Sequence, residues 1–171
     1  MKNSLILFVL ILSMELKAQP PVPHPCTIDT LYRSFDFWIG DWDVFGLNGQ
    51  KAGESRIELI LDSCIILENW TGAGGNYTGK SFNTYNSYTR QWQQTWVDNS
   101  GGTTEFLNGR AEKGKIIFYA DAVSDNTGKN FKRRLTFFKI DNNKVRQLGE
   151  RSDDDGISYT TEYDLEYRRR K

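Results

Sequence analysis

Beyond Asp41 the chain meets a turn sequence roughly every ten residues, and no stretch between the turns has the apolar 3.6-residue period of a helix. The breaks are Asn48-Gly49, Asp62-Ser63, Asn99-Ser100-Gly101-Gly102, Lys113-Gly114, Asp141-Asn142-Asn143 and Asp155-Gly156. The runs between them predict strands over 42–47, 54–61, 64–72, 78–86, 91–98, 103–110, 115–122, 131–140, 144–152 and 157–168. No proline follows Pro25, so each run is free to hydrogen-bond on both sides. About ten strands joined in order by tight turns form an antiparallel meander. Left open, such a sheet exposes two long edges; closed, it becomes an up-and-down barrel with none. The expected class is therefore an all-β antiparallel barrel over residues 35–171. A two-sheet sandwich is the runner-up, but it usually brings long crossover connections, which are missing here.

The first 34 residues read differently. Lys2 precedes the apolar run Leu5-Ile6-Leu7-Phe8-Val9-Leu10-Ile11-Leu12, and Ala18 offers a small residue before Gln19. That order is a secretion signal over residues 1–18, with a run too short to serve as a transmembrane anchor. A lipid anchor at Cys26 is rejected because Pro23-His24-Pro25 precedes it. All four prolines fall within 19–25, and a short helix over 28–33 is expected with Thr27 or Asp29 as cap. Residues 19–34 are thus a leader to the barrel. Export places Cys26 and Cys64 in an oxidising compartment, where a bridge is favoured over two unpaired thiols.

Composition narrows the chemistry. Lys and Arg number 22 against 22 Asp and Glu, a balance that argues against a nucleic-acid binder. The only histidine is His24, in the leader, so no histidine-based catalytic site is expected in the barrel. No Cys/His cluster suits a metal, and no cofactor is implied. Asp153-Asp154-Asp155-Gly156 lacks calcium-loop spacing and reads as a hairpin turn. Gly72-Ala73-Gly74-Gly75 lacks the Lys-Ser/Thr of a phosphate loop and reads as a flexible connection, a candidate lid at a barrel mouth.

Strand alternation then assigns faces. One face of the third to fifth runs carries Ile66, Glu68 and Trp70; Ser81, Asn83 and Tyr85; Trp92, Gln94 and Trp96. The alternate face of the fifth, Gln91, Gln93, Thr95 and Val97, is wetter, so the tryptophans are expected inside with Glu68 and Gln94 among them. The eighth run is ambiguous: Arg134, Thr136 and Phe138 share one side, Phe131, Arg133, Leu135 and Phe137 the other. An interior Glu68 needs Arg134, a tyrosine hydroxyl, water or a ligand. The candidate ligand-binding set is Glu68, Trp70, Ser81, Tyr85, Trp92, Gln94, Trp96 and Arg134, with Gln147 and Glu150. It implies an amphipathic pocket for a small apolar or amphipathic molecule. Two alternatives stay open: an enzyme using a tyrosine or a Glu68–Glu150 acid–base pair, and a structural envelope protein with a filled core.

Gly40-Asp41-Trp42 resembles the Gly-x-Trp signature of lipocalins and their calycin relatives, in which a basic residue of the closing strand often covers the tryptophan. Arg168 or Arg169, after Tyr167, matches that residue; Gly40, Trp42 and Arg168 are taken as the structural set. A longer match begins at Phe35-Asp36-Phe37-Trp38-Ile39-Gly40-Asp41-Trp42-Asp43-Val44. It continues through Cys64-Ile65-Ile66-Leu67-Glu68-Asn69-Trp70 and Trp92-Gln93-Gln94-Thr95-Trp96-Val97-Asp98 to Tyr167-Arg168. This pattern resembles an uncharacterised bacterial lipocalin-like family. The resemblance implies a calycin-type barrel in the periplasm or outside the cell, and no defined activity. Gly149 departs from it, standing where an aromatic residue is expected, which would enlarge a cavity or mark a bulge. Related haem-binding barrels use a histidine ligand that this chain lacks outside its leader.

Overall fold

The computed structural model describes residues 23–125 and 127–171; the expected signal segment 1–18 lies outside the described residues. A short helix α1 (Pro25–Ile28) and a 3-10 turn (Asp36–Trp38) lead into ten strands. These are β1 (Gly40–Gly46), β2 (Lys51–Ile60), β3 (Ile65–Gly72), β4 (Thr78–Asn86) and β5 (Gln91–Asp98). The second half comprises β6 (Thr103–Glu112), β7 (Lys115–Ser124), β8 (Asn130–Lys139), β9 (Lys144–Ser152) and β10 (Thr160–Arg169). Each strand pairs antiparallel with its sequence neighbours, and β1 closes on β10 with Val44 opposite Tyr167. The expected up-and-down barrel is the fold, and closure leaves no sheet edge.

Two local expectations are corrected. The helix occupies Pro25–Ile28 rather than 28–33. Proline suits its first turn, where no amide donor is required, while the Asp29 carboxylate accepts from the Leu31 amide at 2.9 Å and turns the chain. The last strand starts at Thr160 rather than 157. Asp154 holds the preceding loop by accepting from the Ser152 hydroxyl at 2.7 Å and from the Ser158 amide and hydroxyl at 2.9 and 2.6 Å.

The pleat divides each strand into lumen and solvent faces. At one end the lumen is filled by the segment before β1. Phe35 and Trp38 enter it with no exposed surface and pack on Phe137 at centroid distances of 5.0 and 4.5 Å. Trp92 and Phe118 meet Phe35 at 5.7 and 5.8 Å. Several of the plug's polar groups find partners in the barrel, although the buried Trp38 indole nitrogen has none among the described residues. The Trp42 indole donates to the Trp38 carbonyl at 2.8 Å, the Trp92 indole to the Ser34 hydroxyl at 3.0 Å, and Arg169 to the Ile39 carbonyl at 3.0 Å. Cys26 and Cys64 form the disulfide, which ties the leader to the turn between β2 and β3.

The closing-strand cation belongs to Arg169, not Arg168. With Tyr167 facing inward, residue 169 shares its face and residue 168 points out. Arg169 stacks over Trp42 at 4.3 Å, whereas Arg168 lies over Phe45 at 4.2 Å and bonds Glu166 on the outside. Gly40 is required beside this pair: its φ is +136°, and a Cβ there would overlap the Arg169 guanidinium.

The bridge spans 38 positions, so replacing both cysteines by serine should lower unfolding free energy by up to about 4 kcal/mol. Urea denaturation of the oxidised protein and the double variant measures this; equal midpoints would show that the plug holds without it.

Candidate functional site

The opposite end of the barrel is open. Above the plug lies a cavity of about 890 Å³, bounded at its mouth by the β3–β4, β5–β6 and β7–β8 connections. Gly72, Ala73 and Gly74 stand at this rim, where the sequence placed a lid candidate. The lower half of the interior is therefore filled by the protein's own aromatics and the upper half is not.

The cavity floor is polar. Glu68, Ser81 and Asn83 come from β3 and β4, Gln94 from β5, Ser55 from β2, and Gln147 and Tyr167 from β9 and β10. Glu68 is 3% exposed. Its Oε1 accepts from the Ser55 hydroxyl at 2.9 Å and its Oε2 from the Ser81 hydroxyl at 2.9 Å. Asn83 donates to Ser81 at 2.9 Å and to the Ile66 carbonyl at 3.0 Å, and its own carbonyl accepts from Gln94 at 2.7 Å. On the other side the Tyr167 hydroxyl lies 2.8 Å from Gln147 Oε1 and 3.4 Å from Glu68 Oε1. Its single proton serves the shorter contact, which leaves the longer one to a protonated Glu68.

Among the described residues no cation enters this network. Burial pushes the Glu68 carboxyl up to about 7, against the partial pull of the Ser81, Ser55 and Tyr167 hydroxyls. Burial likewise raises Tyr167, with the neighbouring carboxylate adding to the effect, so its hydroxyl stays protonated.

Above the floor is an aromatic collar. Trp70 and Trp96 line the cavity with Phe106, Leu135, Tyr163 and Leu165. Trp96 lies against Gly79 and Tyr163 against Gly149 so closely that a Cβ at either glycine would overlap the ring. The rings are thereby laid along the wall, presenting faces to the lumen instead of filling it. This settles the role of Gly149: the space beside it is taken by the Tyr163 ring from the neighbouring strand. The bulge lies in β10, between Thr161 and Tyr163, and not at Gly149.

Around the mouth, Arg133 and Arg151 approach the Phe131 ring at 5.1 and 3.8 Å. Arg133 holds Glu162 through two contacts of 2.9 and 3.1 Å, and Arg151 pairs with Asp153 at 2.8 Å and Asp125 at 3.5 Å. Asp98, held down to about 2 chiefly by the Ser100 hydroxyl, completes the rim.

Of the expected site residues, Glu68, Trp70, Gln94, Trp96 and Gln147 line the cavity, and Ser81 stands behind Glu68 as its donor. Tyr85 and Trp92 face inward but belong to the plug end, 6.1 Å apart, with Tyr32 on Tyr85 at 5.2 Å. Arg134 and Glu150 do not join the site. Phe131, Leu135 and Phe137 take the lumen side of β8, so the pleat turns Arg134 outward. There it forms a two-contact pair with Glu150, its register partner, at 2.7 and 2.8 Å and covers Tyr159 at 4.1 Å. A Glu68–Glu150 acid–base pair is thereby ruled out: the two carboxylates lie on opposite sides of the wall. Arg133, Arg151, Tyr163, Tyr167 and Ser55 are site residues that the sequence did not single out. The shared face of Arg133 with Leu135 and Phe137 was the available signal for the first.

Among the described residues no group of His, Cys, Asp and Glu could hold a metal, and no helix is long and apolar enough to cross a membrane. In comparison with known proteins, no protein-family model and no curated protein matches the chain.

The raised Glu68 carboxyl links folding to pH. Folded protein retains this proton up to about 7, while an unfolded chain releases it near 4.5. The folded state thus binds more protons between those values, so stability declines as pH rises through that window and levels off above it. Between pH 5 and 8 the loss should be roughly 2 to 3 kcal/mol. Glu68→Gln should flatten the slope, as read from urea midpoints at several pH values. The lowered surface carboxylates, such as Asp98 and Asp154 at about 2, act only in more acidic solution.

Proposed function

We propose that this protein is an exported, lipocalin-like container that binds a small apolar or amphipathic molecule in its lumen. The observation that carries this reading is the half-filled barrel: a sealed floor, an open mouth and a cavity of about 890 Å³ between them. That volume suits a drug-sized ligand, and apolar walls with a few convergent polar groups are the usual construction of such a site. Trp70 and Trp96 supply flat apolar contact, and Glu68, Gln94 and Gln147 supply orientation at the base. Membership of the uncharacterised bacterial lipocalin-like family, and with it a periplasmic or extracellular location, is part of the same proposal. The disulfide is compatible with export.

A second reading has one observation in its favour. A carboxyl titrating at about 7 beside a buried tyrosine hydroxyl is poised for proton transfer. On that reading Glu68→Gln would abolish turnover of a small molecule while leaving its binding intact.

The container reading is tested with the neutral fluorophore N-phenyl-1-naphthylamine. We expect saturable enhancement at one site per chain, with affinity weakened by about tenfold in Trp96→Ala, since its wall is removed. Arg134→Ala, on the outer surface, should bind within about twofold of the unaltered protein. Unsaturable signal, or full affinity in Trp96→Ala, would count against a lumenal site.

A further inference from the structure

We propose that the lumen selects organic cations, seating an ammonium group on the Glu68 carboxylate and holding the apolar body between the Trp70 and Trp96 rings. This deepens the container reading and rests on it.

Glu68 is a buried carboxylate that faces a cavity and, among the described residues, has only neutral neighbours at its oxygens, the hydroxyls of Ser55, Ser81 and Tyr167. With the Tyr167 proton spent on Gln147, the two serine hydroxyls leave each carboxylate oxygen with one acceptor position free, since a carboxylate offers about four. A buried acid of this kind is normally neutralised by an arginine or lysine. Here the cations that share the lumen are engaged elsewhere: Arg133 with Glu162, and Arg151 with Asp153 and Asp125. A ligand ammonium would supply both the missing charge and the missing donor, at a floor buried from bulk solvent where such a contact is strengthened.

The walls and the rim favour the same charge. Two indoles, Trp70 and Trp96, line the same cavity as the carboxylate, and an indole face attracts a cation. Around the mouth, Arg133, Arg151 and Lys129 are outnumbered by Glu162, Asp153, Asp125 and Asp98. With Glu68 below them, the net field in the lumen is negative and draws cations inward. An anionic headgroup would have to rest against Glu68, and a neutral one would leave the carboxylate without a counterion. Among the described residues the arginines at Phe131 are the feature of the lumen that suits an anion, and their own carboxylates already occupy them.

A headgroup series of one size separates these outcomes: 4-phenylbutylamine, 4-phenylbutanol and 4-phenylbutanoate, titrated by calorimetry at pH 8. We expect the amine to bind about tenfold tighter than the alcohol, and the carboxylate most weakly. Glu68→Gln should cost the amine about tenfold more than it costs the alcohol, and saturable binding of the alcohol also reports that the variant is folded. The unaltered protein gives a second measure. Lowering pH from 8 to 5 protonates Glu68 and should weaken the amine by about tenfold or more without affecting the alcohol. Tyr167 and Tyr163 of β10, which face Glu68, are both raised and remain protonated across that range. Arginine does not titrate there, so Arg133 on β8 and Arg151 on β9 contribute a constant field. Equal binding of amine and alcohol, or preference for the carboxylate, overturns cation selection and leaves the container reading in place. No binding by any of the three, together with no saturable signal from the naphthylamine probe, overturns both.

Discussion

A barrel of ten strands encloses more width than its own inward side chains readily fill, and eight strands already approach that limit. Everything else in this molecule follows from how the two ends deal with the surplus. At one end, residues ahead of β1 are folded in as a stopper, and Phe35 and Trp38 contribute rings with no exposed surface. Each such ring removes about 150 to 250 Å² from water, several kcal/mol of burial apiece. The stopper's carbonyls do not go unpaired: those of Trp38 and Ile39 accept from Trp42 and Arg169, the groups that also close β1 on β10. Gly40, Trp42 and Arg169 thus serve one task, joining the plug to the seam of the barrel. At the other end none of the described residues is inserted in this way, and the surplus remains as a cavity.

The layer where plug meets cavity is the polar one, and its position has an electrostatic reason. A carboxyl placed among Phe35, Trp38 and Phe137 would lose its hydration with no donor in reach. One step above them it has hydroxyls from three strands and faces a space that admits water or a ligand. The cost of ionising Glu68 is consequently moderate, moving its titration to about 7 rather than suppressing it. A group with that poise changes charge under ordinary conditions, which makes the floor responsive to whatever occupies the lumen. The stability forgone by ionising it is typical of functional carboxyls set in apolar surroundings.

Much of this was legible beforehand because the sequence alternates so regularly. Trp92, Gln94 and Trp96 against Gln91, Gln93 and Thr95 fixed which side of β5 faced inward, and the register carried Glu68, Ser81 and Asn83 with it. Depth along the strand was not legible. Trp92 and Trp96 share a face, yet one packs on the plug and the other lines the cavity, because the sequence does not say how far the leader penetrates. Tyr163 was legible in principle, since it alternates with Leu165 and Tyr167 on one face; the bulge after Thr161 shifts only the residues before it on β10. Arg168 and Arg169 differ by one pleat position, and only the pairing of Tyr167 with Val44 decides between them.

The ambiguity on β8 had the largest chemical consequence. Had Arg134 faced the lumen, the interior would have held a cation able to neutralise Glu68, and the floor would be a closed structural ion pair. Phe131, Leu135 and Phe137 outweigh it, since three apolar side chains on one face bury far more surface than Phe138 offers on the other. Arg134 is turned outward and finds Glu150, which the same alternation on β9 has turned outward at the matching register position. The inward arginine of β8 is then Arg133, one step nearer the mouth and held by Glu162. Hydrophobic selection of a strand face thus removes the counterion that Glu68 would otherwise have had, and a packing preference on one strand leaves an acid without a partner on another.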